Sequence, residues 1–225
     1  LVARNSIVAK HGSGYFVAHR QRLAELADIE GVVSDPSEVV GFAMQSLDGQ
    51  KLAVRAGAGF FPEEWLADVA PPSLVTKVLK ATNPLVAPGP AQGSNGLRRQ
   101  LADRLQAAGI SAAPGQIITT FGASHAFDLL IRALLRPGDL VVVEDPSYFI
   151  LLSQLRGHDL RLLPVDRLAD GPDLDALEEI VRTHRPKVFF TQTLLHNPTG
   201  SSTSAAKCHR LLMLAERYDF DIVED

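Results

Sequence analysis

From about residue 94 onward, short apolar runs alternate with segments whose apolar residues recur every three or four positions. Leu97, Leu101 and Leu105 fall on one helical face, with Ser94 or Asn95 placed to cap its start and Gly109 to end it. Gln116 to Phe121 is rich in β-branched residues and predicts a strand. Ser124 to Leu135 predicts a second helix, closed by Arg136-Pro137-Gly138-Asp139. Leu140 to Glu144 is a continuous apolar run suited to a strand covered on both faces. Leu160 to Val165 predicts a further strand, and Asp173 to His184 a helix capped by Asp173. Val188 to Gln192 predicts a strand, Thr203 to Arg217 a helix, and Phe220 to Glu224 a strand. This alternation implies an α/β fold, a mainly parallel sheet with helices on both faces. Such sheets bind ligands at the carboxyl ends of their strands.

The first sixty residues follow another pattern. Ile7 to Lys10 and Tyr15 to Ala18 flank His11-Gly12-Ser13-Gly14 and predict a β-hairpin with a glycine-bearing tip. Residues 21–60 are mixed. Leu23 to Leu26 and Pro36 to Leu47 read as short helices, and Gly57-Ala58-Gly59 as a flexible break. No internal repeat is evident.

Composition narrows the class. The chain has 225 residues, 46% apolar and 21% charged, as expected of a globular protein. A net charge of −4 gives no overall nucleic-acid-like basicity. The single cysteine, Cys208, excludes an internal disulfide and a cysteine-based metal site. No apolar run reaches the roughly 18 residues of a membrane span, so a cytoplasmic location is expected. The chain starts at Leu1 and stops at the end of a strand, and reads as a fragment at both ends.

The chemistry-bearing residues fall at strand ends. Gly122-Ala123-Ser124 joins a predicted strand to a helix. The first free N–H groups of that helix form an anion site, to which Ser124 adds a hydroxyl. The same residues also serve simply to turn the chain and cap the helix. His125 reads as a packing residue. After the buried strand comes Glu144-Asp145-Pro146-Ser147-Tyr148, in which Tyr148 offers an aromatic face to a planar ring or packs in a loop. Glu144 and Asp145 read as solvated or capping carboxylates. Asn197, within His196-Asn197-Pro198-Thr199-Gly200, is an amide held at a strand end, or part of a β-turn. Asp225 closes the last strand, as a partner for a protonated ring nitrogen or as a solvated carboxylate. An amide and a carboxylate on neighbouring strand ends suit a planar heteroaromatic cofactor.

In this order, from about Phe61 to Asp225, the segments resemble the fold-type-I enzymes that use pyridoxal 5'-phosphate (PLP), class I/II aminotransferases in particular. Gly93 to Leu105, with Leu97-Arg98, and Pro137-Gly138-Asp139 also match. The resemblance implies that Ala123 and Ser124 hold the cofactor phosphate, with Gly122 letting the backbone approach it, and that Tyr148 stacks on its ring. It implies that Asn197 bonds the phenolic oxygen and Asp225 the ring nitrogen. Two departures stand out. Ala87 to Gln92 carries no aromatic, which leaves out a phosphate contact that many relatives make across subunits. The lysine that forms the Schiff base follows the aspartate in this family, and Lys10, Lys51, Lys77, Lys80, Lys187 and Lys207 all precede Asp225. The chain alone is therefore expected to be inactive, with no catalytic residue and no metal site.

His11 to Val17 resembles the wing that ends a GntR-type winged-helix domain. A wing, a linker and an aminotransferase-like domain is the layout of MocR-type regulators. That resemblance implies residues 1–20 as the wing, 21–60 as linker and arm, and 61–225 as the PLP-binding domain. It implies DNA as a partner, with Lys10 and His11 near the phosphate backbone, a homodimer, and a small amino compound as substrate or effector. The alternatives are a metabolic aminotransferase moving an amino group between an amino acid and a 2-oxo acid, and a scaffold that binds no cofactor.

Overall fold

The computed structural model describes residues 7–10, 14–17, 61, 63–66, 69–81 and 88–225. The chain divides into two units, Leu1–Glu38 and Val39–Asp225. In the first, β1 (Ile7–Lys10) and β2 (Gly14–Val17) pair antiparallel, with Ile7 opposite Val17 and Lys10 opposite Gly14. This is the expected hairpin. The helices expected at 23–26 and 36–47, the break at 57–59 and His11 lie outside the described residues.

The described residues of the second unit form α1 (Glu63–Leu66), α2 (Pro72–Ala81) and α3 (Asn95–Ala107). Then α4 (Gly122–Leu134) leads to β3 (Leu140–Asp145), α5 (Phe149–Gly157), β4 (Arg161–Leu168) and β5 (Gly171–Pro172). The chain closes with α6 (Leu174–His184), β6 (Val188–Thr191), α7 (Ala205–Tyr218) and β7 (Asp221–Glu224). Asp173 caps α6 as expected, accepting from the N–H groups of Asp175 and Ala176.

The sheet order is β5-β4-β3-β6-β7, parallel except where β5 turns back on β4. Side chains alternate across it. Val141, Val143, Val188 and Phe190 pack with Phe127 and Ile131 of α4 and Leu151 and Leu155 of α5. Val142 and Phe189 face the other way, against Leu177 and Val181 of α6 and Leu211 and Leu214 of α7. Two apolar layers therefore cover one sheet, which is why β3 and β6 read as continuous apolar runs. Each such side chain, fully buried, contributes about 1.5–3 kcal/mol.

The strand order also locates a cleft. From β3 the chain moves through α5 to β4 on one side. It later crosses through α6 to β6 on the other. The helices following β3 and β6 lie on opposite faces. Beyond the carboxyl ends of those two strands the connections part, the place where open α/β sheets take ligands.

One expectation needs correction. Residues 117–121 form no strand. After a 3-10 turn at Pro114–Gln116, Ile117 is extended, and Thr119 N–H bonds to Gln92 O. The segment has no partner strand among the described residues, and β-branched composition does not make a strand without a ladder. Gly93 is closely matched to this segment. Its φ is +93°, and a Cβ there would lie 1.8 Å from Thr119 Oγ1. Helices α2 and α5 were not foreseen. Among the described residues no helix is long and apolar enough to cross a membrane.

Candidate functional site

The residues beyond β3, β6 and β7 meet in one cleft, lined by Glu144, Tyr148, Phe190, Gln192, His196 and Asp225 among others. Tyr148 occupies the N-cap position of α5 and is half-buried, its ring edge-on to Phe149 at 5.3 Å. Burial pushes its phenol pKa up, and the neighbouring Asp225 charge adds to the shift. Burial likewise holds the Asp225 carboxyl above the usual carboxylate range. Its backbone N–H bonds to Thr191 O, which extends the β6–β7 pairing to the strand end.

Asn197 reaches this edge through Gln192. Gln192 Oε1 accepts the Asn197 N–H at 2.5 Å, and Gln192 Nε2 lies 3.5 Å from Asp225 Oδ2. The Asn197–Pro198 and Asp145–Pro146 peptides are both cis. The loop closes through His196 N–H to Ser201 O and Gly200 N–H to His196 O. The side-chain amide of Asn197 is exposed and makes no hydrogen bond among the described residues.

Glu144 overturns its expected place in solvent. It is 2% exposed, on a strand that is covered on both faces. Arg167 Nη1 donates to Oε1 at 2.8 Å and to Oε2 at 2.9 Å, and Thr191 Oγ1 donates to Oε1 at 2.7 Å. His196 Nε2 lies 2.8 Å from Oε2. Burial raises the Glu144 carboxyl pKa, while Thr191 and Arg167 oppose that rise. Burial and the Arg167 charge lower His196 to about 4. His196 is therefore neutral at physiological pH, and Arg167 is the counter-charge.

Gly122, Ala123 and Ser124 form the first turn of α4, which no side chain caps. Gly122 enters it at φ +77°. His125 acts locally, its ring stacked on Phe121 and its Nδ1 accepting the Phe121 N–H. Gln154 of α5 donates to Ser124 O at 2.9 Å. No hydrogen bond among the described residues links Gly122–Ser124 directly to Tyr148 or Asp225. Lys10 falls in β1, and its side chain lies outside the described residues.

The cleft brings together the Tyr148 ring and the Asp225 carboxylate; the Asn197 amide and the uncapped first turn of α4 are not among its lining residues. Sequence reasoning missed Arg167, Gln192 and Arg98. Arg98 is buried and bonds to Gln92, Pro114 and Asn95. Its one signal was its place in the Leu97-Arg98 pair. No group of three His, Cys, Asp or Glu among the described residues is placed to hold a metal.

Comparison with known proteins agrees with this fold. The family model for aminotransferase class I and II matches residues 58–225. The uncharacterized HTH-type transcriptional regulator YdcR of Escherichia coli is 29% identical over 100% of the chain and 49% of its own length. The 2-aminoadipate transaminase of Thermus thermophilus is 31% identical over 73% of the chain and 39% of its own length. Among solved structures, kynurenine aminotransferase of Pyrococcus horikoshii superposes with a TM-score of 0.69 at 28% identity, covering 89% of the chain and 52% of that structure. The α-aminoadipate aminotransferase LysN of Thermus thermophilus, complexed with N-(5'-phosphopyridoxyl)-L-leucine, gives 0.62 at 31% identity, covering 73% and 40%. The chain spans about half the length of these relatives, or less.

Proposed function

The chain belongs to the class I and II aminotransferase family, and from that premise we propose that it is the PLP-binding effector region of a DNA-binding transcriptional regulator. One observation carries this reading. The likeness to YdcR runs through the whole chain, whereas the aminotransferase match begins at residue 58. The HTH-type regulator YjiR of Escherichia coli likewise matches over 95% of the chain. That reach supports residues 1–20 as the wing of a winged helix, 21–60 as linker and arm, and 61–225 as the effector domain. On this reading Lys10 and His11 are the residues that would meet a phosphate backbone. The partners are DNA, a second copy of the protein and a small amino compound, in the cytoplasm.

The donor set fits PLP. Asp225 pairs with the ring nitrogen and keeps it protonated, since an adjacent carboxylate favours the charged form. The free amide of Asn197 donates to the phenolic oxygen, and Tyr148 stacks on the ring. The uncapped N–H groups at Gly122, Ala123 and Ser124 hold the phosphate. When bound, PLP supplies an electron-withdrawing ring for chemistry on an amino compound.

A second reading is a metabolic aminotransferase, favoured by the 31% identity to the Thermus thermophilus transaminase. Titration of the full-length protein with PLP, read by absorbance, tests both readings against a cofactor-free scaffold. Saturable binding that weakens in Asp225→Ala is expected; no binding would contradict both. Transamination without retention of DNA would leave the enzyme reading alone.

A further inference from the structure

Arg167, Glu144 and His196 form the most deeply buried polar group of the described residues, and the proposed cofactor contacts use none of them. The Arg167 and Glu144 side chains are 0% and 1% exposed, and His196 is 1% exposed. Arg167 also spans the loop that carries Asn197. Its Nη1 donates to Gln192 O at 2.9 Å, its Nε to Ser201 Oγ at 3.1 Å and its Nη2 to Ser201 O at 3.4 Å. Residues 192 and 201 are the two ends of that loop, so one guanidinium holds both.

The donors and acceptors have one consistent direction. Arg167 Nε–H only donates, so Ser201 Oγ accepts from it and turns its own hydrogen toward Thr199 Oγ1, 2.9 Å away. Thr199 Oγ1 also accepts the Ser201 N–H at 3.3 Å, which directs its hydroxyl to His196 Nδ1 at 3.0 Å. Nδ1 is then an acceptor and Nε2 carries the hydrogen, donated to Glu144 Oε2 at 2.8 Å. Glu144 accepts from Arg167 as well, and the ring closes. Tyr148 and Asp225 line the same cleft but bond to no member of this ring. Thr191 also donates to Glu144.

We infer that Arg167 is the positioning residue of the Asn197 loop, acting through a closed hydrogen-bond ring in which His196 is a neutral strut of fixed tautomer. The inference rests on the proposed PLP site only in what the loop is held for. Arg167, and not His196, balances Glu144. His196 moves no proton; it transmits the position of Glu144 to Thr199, two residues beyond Asn197. A lysine at 167 keeps the charge but not the fork, and one ammonium does not match the planar guanidinium reaching Glu144, Gln192 and Ser201 together.

The test is nitrogen NMR of the full-length protein labelled in its histidines, with the His196 signal assigned by its loss in His196→Gln. In the wild type, the signal is expected to show the Nε2–H tautomer and no protonation between pH 5.5 and 8. In Arg167→Met the cation is gone, and His196 is expected to titrate at a higher pH than in the wild type. In Arg167→Lys it stays neutral, but the tautomer signal broadens and PLP affinity falls about tenfold. Should Arg167→Met fail to fold, Arg167→Met with Glu144→Gln removes both charges and is expected to leave His196 neutral with weakened PLP binding. A wild-type His196 that titrates near neutrality, an Nδ1–H tautomer, or full PLP affinity in Arg167→Lys would overturn the inference. A wild type that binds no PLP but shows the expected tautomer would overturn the function and keep the ring.

Discussion

Gln192 Nε2 lies 3.5 Å from Asp225 Oδ2, while Oε1 of the same side chain accepts the backbone N–H of Asn197. A neutral amide thus spaces the two strand-end groups proposed to grip the cofactor ring. Gln192→Glu would place a like charge against Asp225 and remove a donor, favouring the protonated carboxyl. PLP binding is expected to weaken about tenfold, or about 1.4 kcal/mol, in an absorbance titration. Unchanged affinity would show that Gln192 does not hold this edge.

Asp225 stands in conflict between stability and binding. Burial raises its carboxyl pKa above the usual carboxylate range. Protonation therefore favours the fold. The contribution is complete below the unfolded value and is lost as pH rises through the folded one. Without cofactor, Asp225→Asn is expected to melt higher than wild type at pH 7, with the gain shrinking toward pH 4. The same variant is expected to bind PLP more weakly. A lower melting temperature at pH 7 would refute the assignment of burial as the cause.

Tyr148 is proposed to act through its ring face. Tyr148→Phe is expected to keep PLP affinity within about twofold, and Tyr148→Ala to lose about 1 kcal/mol, roughly fivefold. Equal losses in both variants would point to the hydroxyl instead.

Thr191 donates to Glu144 at 2.7 Å from a buried position. Thr191→Val preserves shape but leaves the carboxylate short of a donor. A destabilisation of about 1–3 kcal/mol is expected from urea unfolding. A neutral result would mean that Arg167 and His196 satisfy Glu144 without Thr191.

Much of the fold was legible because periodicity is local. The α6 helix carries its own cap in Asp173, and β3 and β6 show their burial on both faces as unbroken apolar runs. Residues 117–121 misled because a strand is defined by its partner, and β-branching states only a willingness to pair. The Ile150-Leu151-Leu152 run of α5 is too short and apolar to show a helical stripe. The strand-end residues were visible from spacing and family resemblance. Arg167 was not, because its partners lie 23 to 34 residues away and a lone arginine in a strand has no local signature. Glu144 was misplaced for the same reason: only the contact with Arg167 makes its burial tolerable.

The proposed function requires that one protein couple the aminotransferase-family domain to DNA. The direct measurement selects bound fragments from sheared DNA of the source genome with the full-length protein. It then follows the affinity for the enriched site with and without PLP and amino compounds, at fixed salt. The expected result is a specific site whose affinity shifts with PLP in the wild type and not in Asp225→Ala. A protein that saturates with PLP, transaminates freely and enriches no fragment would contradict the claim.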